Sequence, residues 1–225
     1  MRVVVKLGGS LIREAPELVD RLVKEFGSGD SKVTGAAESK RACEEFPFSV
    51  LIVPGGGPFA DAVRTVDEKN SLSADAAHWM AVLGMEQYAF YLRDKSCAAA
   101  TDLITDIPRG VSILFPYRLL KTEDPLPHTW DVTSDTIAAW VAKRTGAMFL
   151  KVTDVDGIFK EGKLIREISA ANFTENRAGC IDPALPLFLL NNRMNCLIVN
   201  GRYPERIIEA LYGKPVSGTF VKGNI

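Results

Sequence analysis

Three glycine-centred turns hold the residue types in this chain that suit an anion. They are Lys6-Leu7-Gly8-Gly9-Ser10, Pro54-Gly55-Gly56-Gly57-Pro58 and Thr153-Asp154-Val155-Asp156-Gly157. Each follows an apolar run that reads as a buried strand: Val3–Leu7, Val50–Val53 and Met148–Val152. In an open α/β sheet the carboxyl ends of the strands form the ligand-binding edge. Glycines there let backbone N–H groups approach an anion, and a following helix adds its positive end. One such turn is equally well a plain strand-to-helix bend. Three on one edge, with a lysine inside the first, favour a phosphate ligand.

The common nucleotide signatures fail. No GxxxxGK[ST] loop is present, and the protein-kinase HRD and DFG segments are missing. Gly55-Gly56-Gly57-Pro58-Phe59-Ala60 does fit the dinucleotide fingerprint G-x-G-x-x-A, with Asp75 about 20 residues on. That acid, however, belongs at the end of the next strand. Asp75 heads a helix-like run, Ala76-Ala77-His78-Trp79, so the match reads as coincidence. Asp154-Val155-Asp156-Gly157 is not an EF-hand loop, because the spaced ligands and terminal glutamate are absent.

The elements that must position these turns alternate between strand and helix. Pro16 suits a first helical turn, and Leu18, Val19, Leu22, Val23 and Phe26 recur at helical spacing. Gly27-Ser28-Gly29-Asp30-Ser31 ends that helix, and the polar stretch to about Ala42 is expected to be a loop or short helix. A helix is expected from Pro58 and a longer one, capped by Ser73, to about Arg93. Val111–Phe115, Cys196–Val199 and Gly218–Val221 read as further strands. Thr133 or Ser134 suits the cap of a helix carrying Ile137, Trp140 and Val141, and Pro183 and Pro204 suit helix starts. Crossover connections of this kind imply an α/β fold with a mostly parallel sheet and helices on both faces.

Composition bounds the function. The chain has 225 residues, 47% hydrophobic and 24% charged, which fits one sizeable globular domain and argues against disorder or coiled coil. With 27 basic and 28 acidic residues, it has no overall basic field for nucleic acid. The four cysteines form no CxxC pair, so reduced thiols in a cytoplasmic protein are expected rather than a zinc site. No run approaches the ~20 apolar residues of a membrane span. The N-terminus reads as a first strand rather than a signal peptide.

The three turns together with Thr133-Ser134-Asp135 resemble, in order and spacing, the four signature blocks of the amino acid kinase superfamily. The resemblance implies a three-layer αβα sandwich, MgATP as donor and an oxygen acid as acceptor. It further implies an acceptor-binding lobe over about residues 1–130, an ATP-binding lobe over about 131–225, and a homo-oligomer such as a homodimer. Within the superfamily, Val53–Asp61, Ala77–Met80 and Leu126–Asp135 look like those of one branch, the aminomethylfuran-methyl phosphate kinases of methanofuran biosynthesis. That branch phosphorylates a phosphate monoester to a diphosphate. Isopentenyl phosphate and UMP kinases are the alternatives of the same chemistry. A non-catalytic nucleotide- or oxyanion-storage protein on the same fold is the alternative of another class, which Lys6 beside the glycine turn argues against.

The chemistry needs two anions in line and their charge neutralised. A phosphate monoester, with a second pKa of about 6, needs no strong general base. Repulsion is the harder problem: two unit charges 4 Å apart repel by about 4 kcal/mol at an effective dielectric of 20. The resemblance implies that Lys6, Gly9, Gly56 and Asp135 are catalytic, Asp135 by orienting lysines. It implies a donor site of Lys6, Gly8, Gly9, Ser10, Lys151, Thr153, Asp154, Asp156, Gly157, Phe159 and Lys160. Gly8, Gly9 and Ser10 are expected to offer N–H groups to phosphate. It implies an acceptor site of Gly55, Gly56, Gly57, Asp61, Arg64, Trp130 and Asp131. Asp61 is expected to read a substrate ammonium and Arg64 the phosphate. Trp79, Trp130 and His78 are candidates to face a flat ring, and His128 a polar loop role. A second lysine usual in the C-terminal half is missing from Gly179-Cys180-Ile181-Asp182, leaving Lys151, Lys160 or Lys163 for its place.

Overall fold

The computed structural model describes residues 1–27, 48–105, 107–173 and 179–223. The polar stretch expected as a loop to about Ala42 lies outside them. In chain order the strands are β1 (Arg2–Leu7), β2 (Ser49–Pro54), β3 (Ala99–Thr101), β4 (Gly110–Leu114), β5 (Met148–Thr153), β6 (Phe159–Lys160), β7 (Lys163–Leu164), β8 (Glu167–Ser169), β9 (Cys196–Asn200) and β10 (Gly218–Lys222). The α-helices are α1 (Ala15–Phe26), α2 (Gly57–Asn70), α3 (Ala74–Lys95), α4 (Pro116–Glu123), α5 (Ser134–Thr145), α6 (Leu185–Asn191) and α7 (Pro204–Leu211). Short 3-10 turns cover Gly9–Leu11 and Ala170–Phe173.

Eight strands form the central sheet, in the order β3-β4-β2-β1-β5-β9-β10-β8. All neighbours are parallel except β9 and β10. The small hairpin β6-β7 stands apart. The centre of the sheet is continuously apolar, as strands covered on both faces must be. Alternate residues divide between two cores. Val3, Val5, Ile52, Leu150 and Val199 meet α1, α7 and the later half of α3. Val4, Leu51, Val53, Phe149 and Ile198 meet α4, α5, α6 and the earlier half of α3. The result is the three-layer αβα sandwich that the resemblance implies, with helices on both faces of the sheet as the alternation implies.

Local chemistry accounts for the helix boundaries. Ser73 caps α3 by accepting the Ala76 N–H at 3.2 Å. Gly146 closes α5 in the left-handed region at φ 62°. Thr133 does occupy the N-cap position of α5, but its side chain does not cap it. Asp182, distant in sequence, does that instead (below). Pro204 starts α7 as expected, whereas α6 starts two residues after Pro183 with Pro186 in its first turn. Cys97, Cys180 and Cys196 are free thiols. No described helix is long and apolar enough to cross a membrane.

Leu150, fully buried on the central strand β5, and Leu187, 62% exposed on α6, test this layering. Leu150→Ala should lower unfolding free energy in urea by about 2–5 kcal/mol, and Leu187→Ala should change it by less than about 0.5 kcal/mol.

Candidate active site

The register of β1 on β5 pairs Lys6 with Lys151. In-register residues of neighbouring parallel strands share a face. Both lysines therefore point to the side of Val4 and Phe149, where α5 begins. Asp135, in the first turn of α5, lies over them. Its Oδ1 accepts from Lys6 Nζ at 2.8 Å and also from Lys151 Nζ. Its Oδ2 accepts the backbone N–H of Asp182 at 3.0 Å. All three side chains are buried.

Their electrostatics follow from burial and contact. Burial raises the Asp135 carboxyl, but Lys151 and Lys6 oppose it and hold the group well below the usual carboxylate range. Lys6 is lowered, first by burial and then by the Lys151 charge, with Asp135 opposing. Lys151 is raised, because its attraction to Asp135 exceeds the effect of burial. Two lysines thus share one carboxylate at the carboxyl ends of β1 and β5. Of the three candidates for a second lysine, Lys151 is the one that shares Asp135 with Lys6. Lys160 lines the same cavity, and Lys163 does not.

Asp182 fixes this centre, and the sequence-level reading missed it. Its carboxylate accepts from Thr133 N (2.9 Å), Thr133 Oγ1 (2.9 Å), Thr136 N (3.0 Å), Thr136 Oγ1 (2.6 Å) and Leu185 N (2.9 Å). These bonds satisfy orphan donors at the start of α5, as a cap does. Burial and the nearby Asp135 charge push the Asp182 carboxyl up, with the Thr136 and Thr133 bonds opposing.

The first two glycine turns interlock. A Cβ on Gly9 would lie 2.3 Å from Gly57 N and 2.4 Å from Gly57 Cα, and Gly57 itself has φ +52°. Gly8 donates to Val152 O at 2.9 Å and Gly55 to Leu7 O at 2.8 Å. The expectation that Gly8 offers its N–H to phosphate is therefore corrected: that bond fastens β1 to β5. Gly9 and Ser10 open a 3-10 turn, and Gly57 opens α2. First-turn N–H groups lack helical partners.

Two neighbouring cavities lie at this end of the sheet, one of them over the centre. The larger, about 1450 Å³, is lined by Lys6, Gly8, Gly9, Ser10, Asp135, Lys151, Thr153, Asp154, Gly157, Phe159 and Lys160, with Asp131 also on its wall. Among the expected donor residues, Asp156 is not on the wall; it binds Asn200 Nδ2 at 2.9 Å and Arg206 Nη1 at 2.7 Å. The smaller, about 300 Å³, lies between α2, α3 and residues 128–137. Its wall is mostly Ala60, Ala77, Ala81, Val82, Met85 and Ile137, with Gly56, Arg64, Asp67, His78, His128 and Trp130 as the notable others. Arg64, Trp130 and Thr133 line both cavities.

Gly55, Gly57 and Asp61 line neither cavity, and Asp61 is exposed on α2. The reason is helical rotation: Gly56, Ala60, Arg64 and Asp67 share one face, and Asp61 is turned ~100° from Ala60. Of the aromatic candidates, Trp130 and His78 line the small cavity, and Trp79 packs into the core beside it. His128 stacks on His78 with centroids 4.0 Å apart. Its ring nitrogens lie 2.6 Å from Asp75 and 2.8 Å from Asp124. The bond to Asp75 leads in raising its pKa, whereas burial lowers His78 to about 4.

A parallel αβα sheet with lysines and glycine turns gathered at one edge defines a phosphotransferase site. Residues 1–200 match the Amino acid kinase family, and the chain belongs to it. It is 30% identical, over 94% of its length and 93% of the relative's, to the [5-(aminomethyl)furan-3-yl]methyl phosphate kinase of Methanocaldococcus jannaschii. A uridylate kinase of Methanocella arvoryzae is 26% identical over 107 residues, 40% of this chain and 47% of that one. In fold it is similar to the uridylate kinase of Archaeoglobus fulgidus, with TM-score 0.65 and 19% identity over 98% of this chain and 100% of that one. The UMP kinase of Ureaplasma parvum gives TM-score 0.62 and 15% identity over 99% and 98% of the two chains.

Two outcomes are expected. Gly9→Ala should part the two turns and lower turnover by about 100-fold or more, since misplacement of about 1 Å has that effect; steady-state kinetics beside circular dichroism checks this. Asp135→Asn leaves two buried ammoniums without their carboxylate and should destabilise the fold by about 3–5 kcal/mol at pH 7. Because the folded-state carboxyl titrates below the unfolded one, the wild-type advantage is complete above pH ~4 and shrinks as pH falls below it. Urea midpoints of both proteins from pH 7 to 3 measure the gap.

Proposed function

We propose that the protein transfers the γ-phosphoryl group of ATP to a phosphate monoester, giving a diphosphate, and that the acceptor is [5-(aminomethyl)furan-3-yl]methyl phosphate. The supporting observation is a small, mostly apolar cavity next to a large one that holds the Lys6–Asp135–Lys151 centre on its wall, the two sharing Arg64, Trp130 and Thr133. The relation to the Methanocaldococcus jannaschii enzyme over 94% of the chain supports this choice of acceptor.

In this reading ATP occupies the large cavity. Its phosphates lie against Gly9, Ser10, Lys6 and Lys151, and the hairpin residues Phe159 and Lys160 form the outer wall. The acceptor lies in the small cavity, with its phosphate toward Arg64 and the centre. An acceptor phosphate oxygen attacks the γ-phosphorus, the bond from that phosphorus to the β,γ-bridging oxygen breaks, and ADP leaves with the electron pair. The acceptor oxygen is already ionised near neutral pH, so no side chain has to remove a proton. Lys6 and Lys151 meet the charge that spreads over the transferring group. Asp135 keeps both ammoniums aimed at it.

No group of three or more acidic, histidine or cysteine side chains able to cage a metal occurs among the described residues. Magnesium needs no such cage, since it is commonly held by one or two carboxylates, water and substrate phosphates. Asp154, on the donor wall and half-buried, fits that part. The ion, when bound, neutralises phosphate charge.

Coupled ADP detection with ATP, Mg²⁺ and a panel of acceptors tests the assignment. The aminomethylfuran phosphate should give kcat/KM at least about 100-fold above UMP and isopentenyl phosphate. Turnover of UMP alone would refute it. Lys151→Ala should lower kcat by roughly 100- to 1000-fold with the acceptor KM little changed.

A further inference from the structure

We infer that Asp67 is the ammonium-binding residue of the acceptor cavity, so that the cavity selects phosphate monoesters carrying a primary amine at the far end of a flat ring. The inference rests on the function proposed above and adds a recognition element to it.

Asp67 is the one carboxylate on the wall of the 300 Å³ cavity among the described residues. It is half-buried, on the third turn of α2, beyond Ala60 and Arg64 on the same face. Its carboxylate is held in place from two sides. Trp130 Nε1 donates to Oδ2 at 2.6 Å, and the backbone N–H of Leu72 donates to Oδ1 at 2.9 Å. Both donors are neutral, and each oxygen keeps a lone pair for another donor. No described basic side chain forms an ion pair with it. Arg64 lies with Cζ 4.2 Å over the Trp130 ring. His128, also on the wall, is engaged by Asp75 and Asp124 instead. A fixed carboxylate without a cationic partner, facing an apolar cavity, is a site for a cation.

The groups gathered at this wall carry the argument further. Arg64, which lines both cavities, offers a positive group over the flat Trp130 ring, and Asp67 offers a negative one at that ring's N–H. A ligand complementary to these three has an anionic group, a planar part and a cationic group. His78 supplies a second aromatic face, and with its pKa lowered to about 4 it is neutral near pH 7 and adds no repulsion toward an ammonium. Asp61, next to the glycine turn, has none of these relations.

The experiment compares two acceptors, [5-(aminomethyl)furan-3-yl]methyl phosphate and its analogue with methyl in place of aminomethyl, in wild type, Asp67→Asn and Asp61→Asn. Thermal melts verify folding; Asn at position 67 keeps a carbonyl for Trp130 or Leu72. Wild type should favour the amine by about 10- to 100-fold in kcat/KM, chiefly through KM, as expected for a hydrogen bond between charged groups. Asp67→Asn should lose that preference, its kcat/KM for the amine falling to about its own value for the methyl analogue. A preference retained in Asp67→Asn, or lost in Asp61→Asn instead, overturns the inference and leaves the proposed function standing. Equal use of both acceptors by wild type does the same. Failure of wild type to use either acceptor, with UMP or isopentenyl phosphate turned over, removes both. Should Asp67→Asn not fold, Asp67→Glu serves: its carboxylate, displaced by one methylene, should weaken the amine preference without abolishing it, and an undiminished preference overturns the inference.

Discussion

The sharing of one buried carboxylate by two buried ammonium groups is the constraint around which the rest is arranged. Neither lysine would be tolerated on the inner face of a sheet without a counter-charge, because desolvation of an ion costs several kcal/mol. Asp135 supplies that charge only because three separate facts coincide. The β1–β5 register sets Lys6 beside Lys151, the first turn of α5 overhangs them, and the Asp182 backbone holds the far oxygen. Asp182 then ties Thr133 and Thr136 to the start of α6. The centre is thus carried by rigid elements, which suits a reaction that depends on placement more than on proton transfer.

The same constraint explains what could be read from the residues alone. Apolar runs of four to six residues ending in glycine are strong marks of buried parallel strands, so β1, β2 and β5 and their turns were legible. Asp135 and Lys6 were legible because the superfamily resemblance names those blocks. Strands β3 and β8 were not, since each has three residues and little burial. α4 was passed over because its eight residues follow a strand without a cap signal.

Asp182 and Asp67 escaped for a different reason. Each acts through a partner far away in sequence, Asp182 on α5 and Asp67 on Trp130, and no local pattern encodes such pairings. Asp67 was nevertheless within reach of periodicity: Gly56, Ala60, Arg64 and Asp67 follow the four- and three-residue steps of a helix face. Adjacency to the glycine turn drew attention to Asp61, which the rotation of α2 directs elsewhere.

Arg64, Trp130 and Thr133 wall both cavities, so the two compartments are neighbours that share a partition. In the proposed reaction each substrate keeps to its own side of it. A change that shifts any of these three side chains therefore disturbs both compartments at once, and the grip on one substrate cannot be retuned there without touching the other.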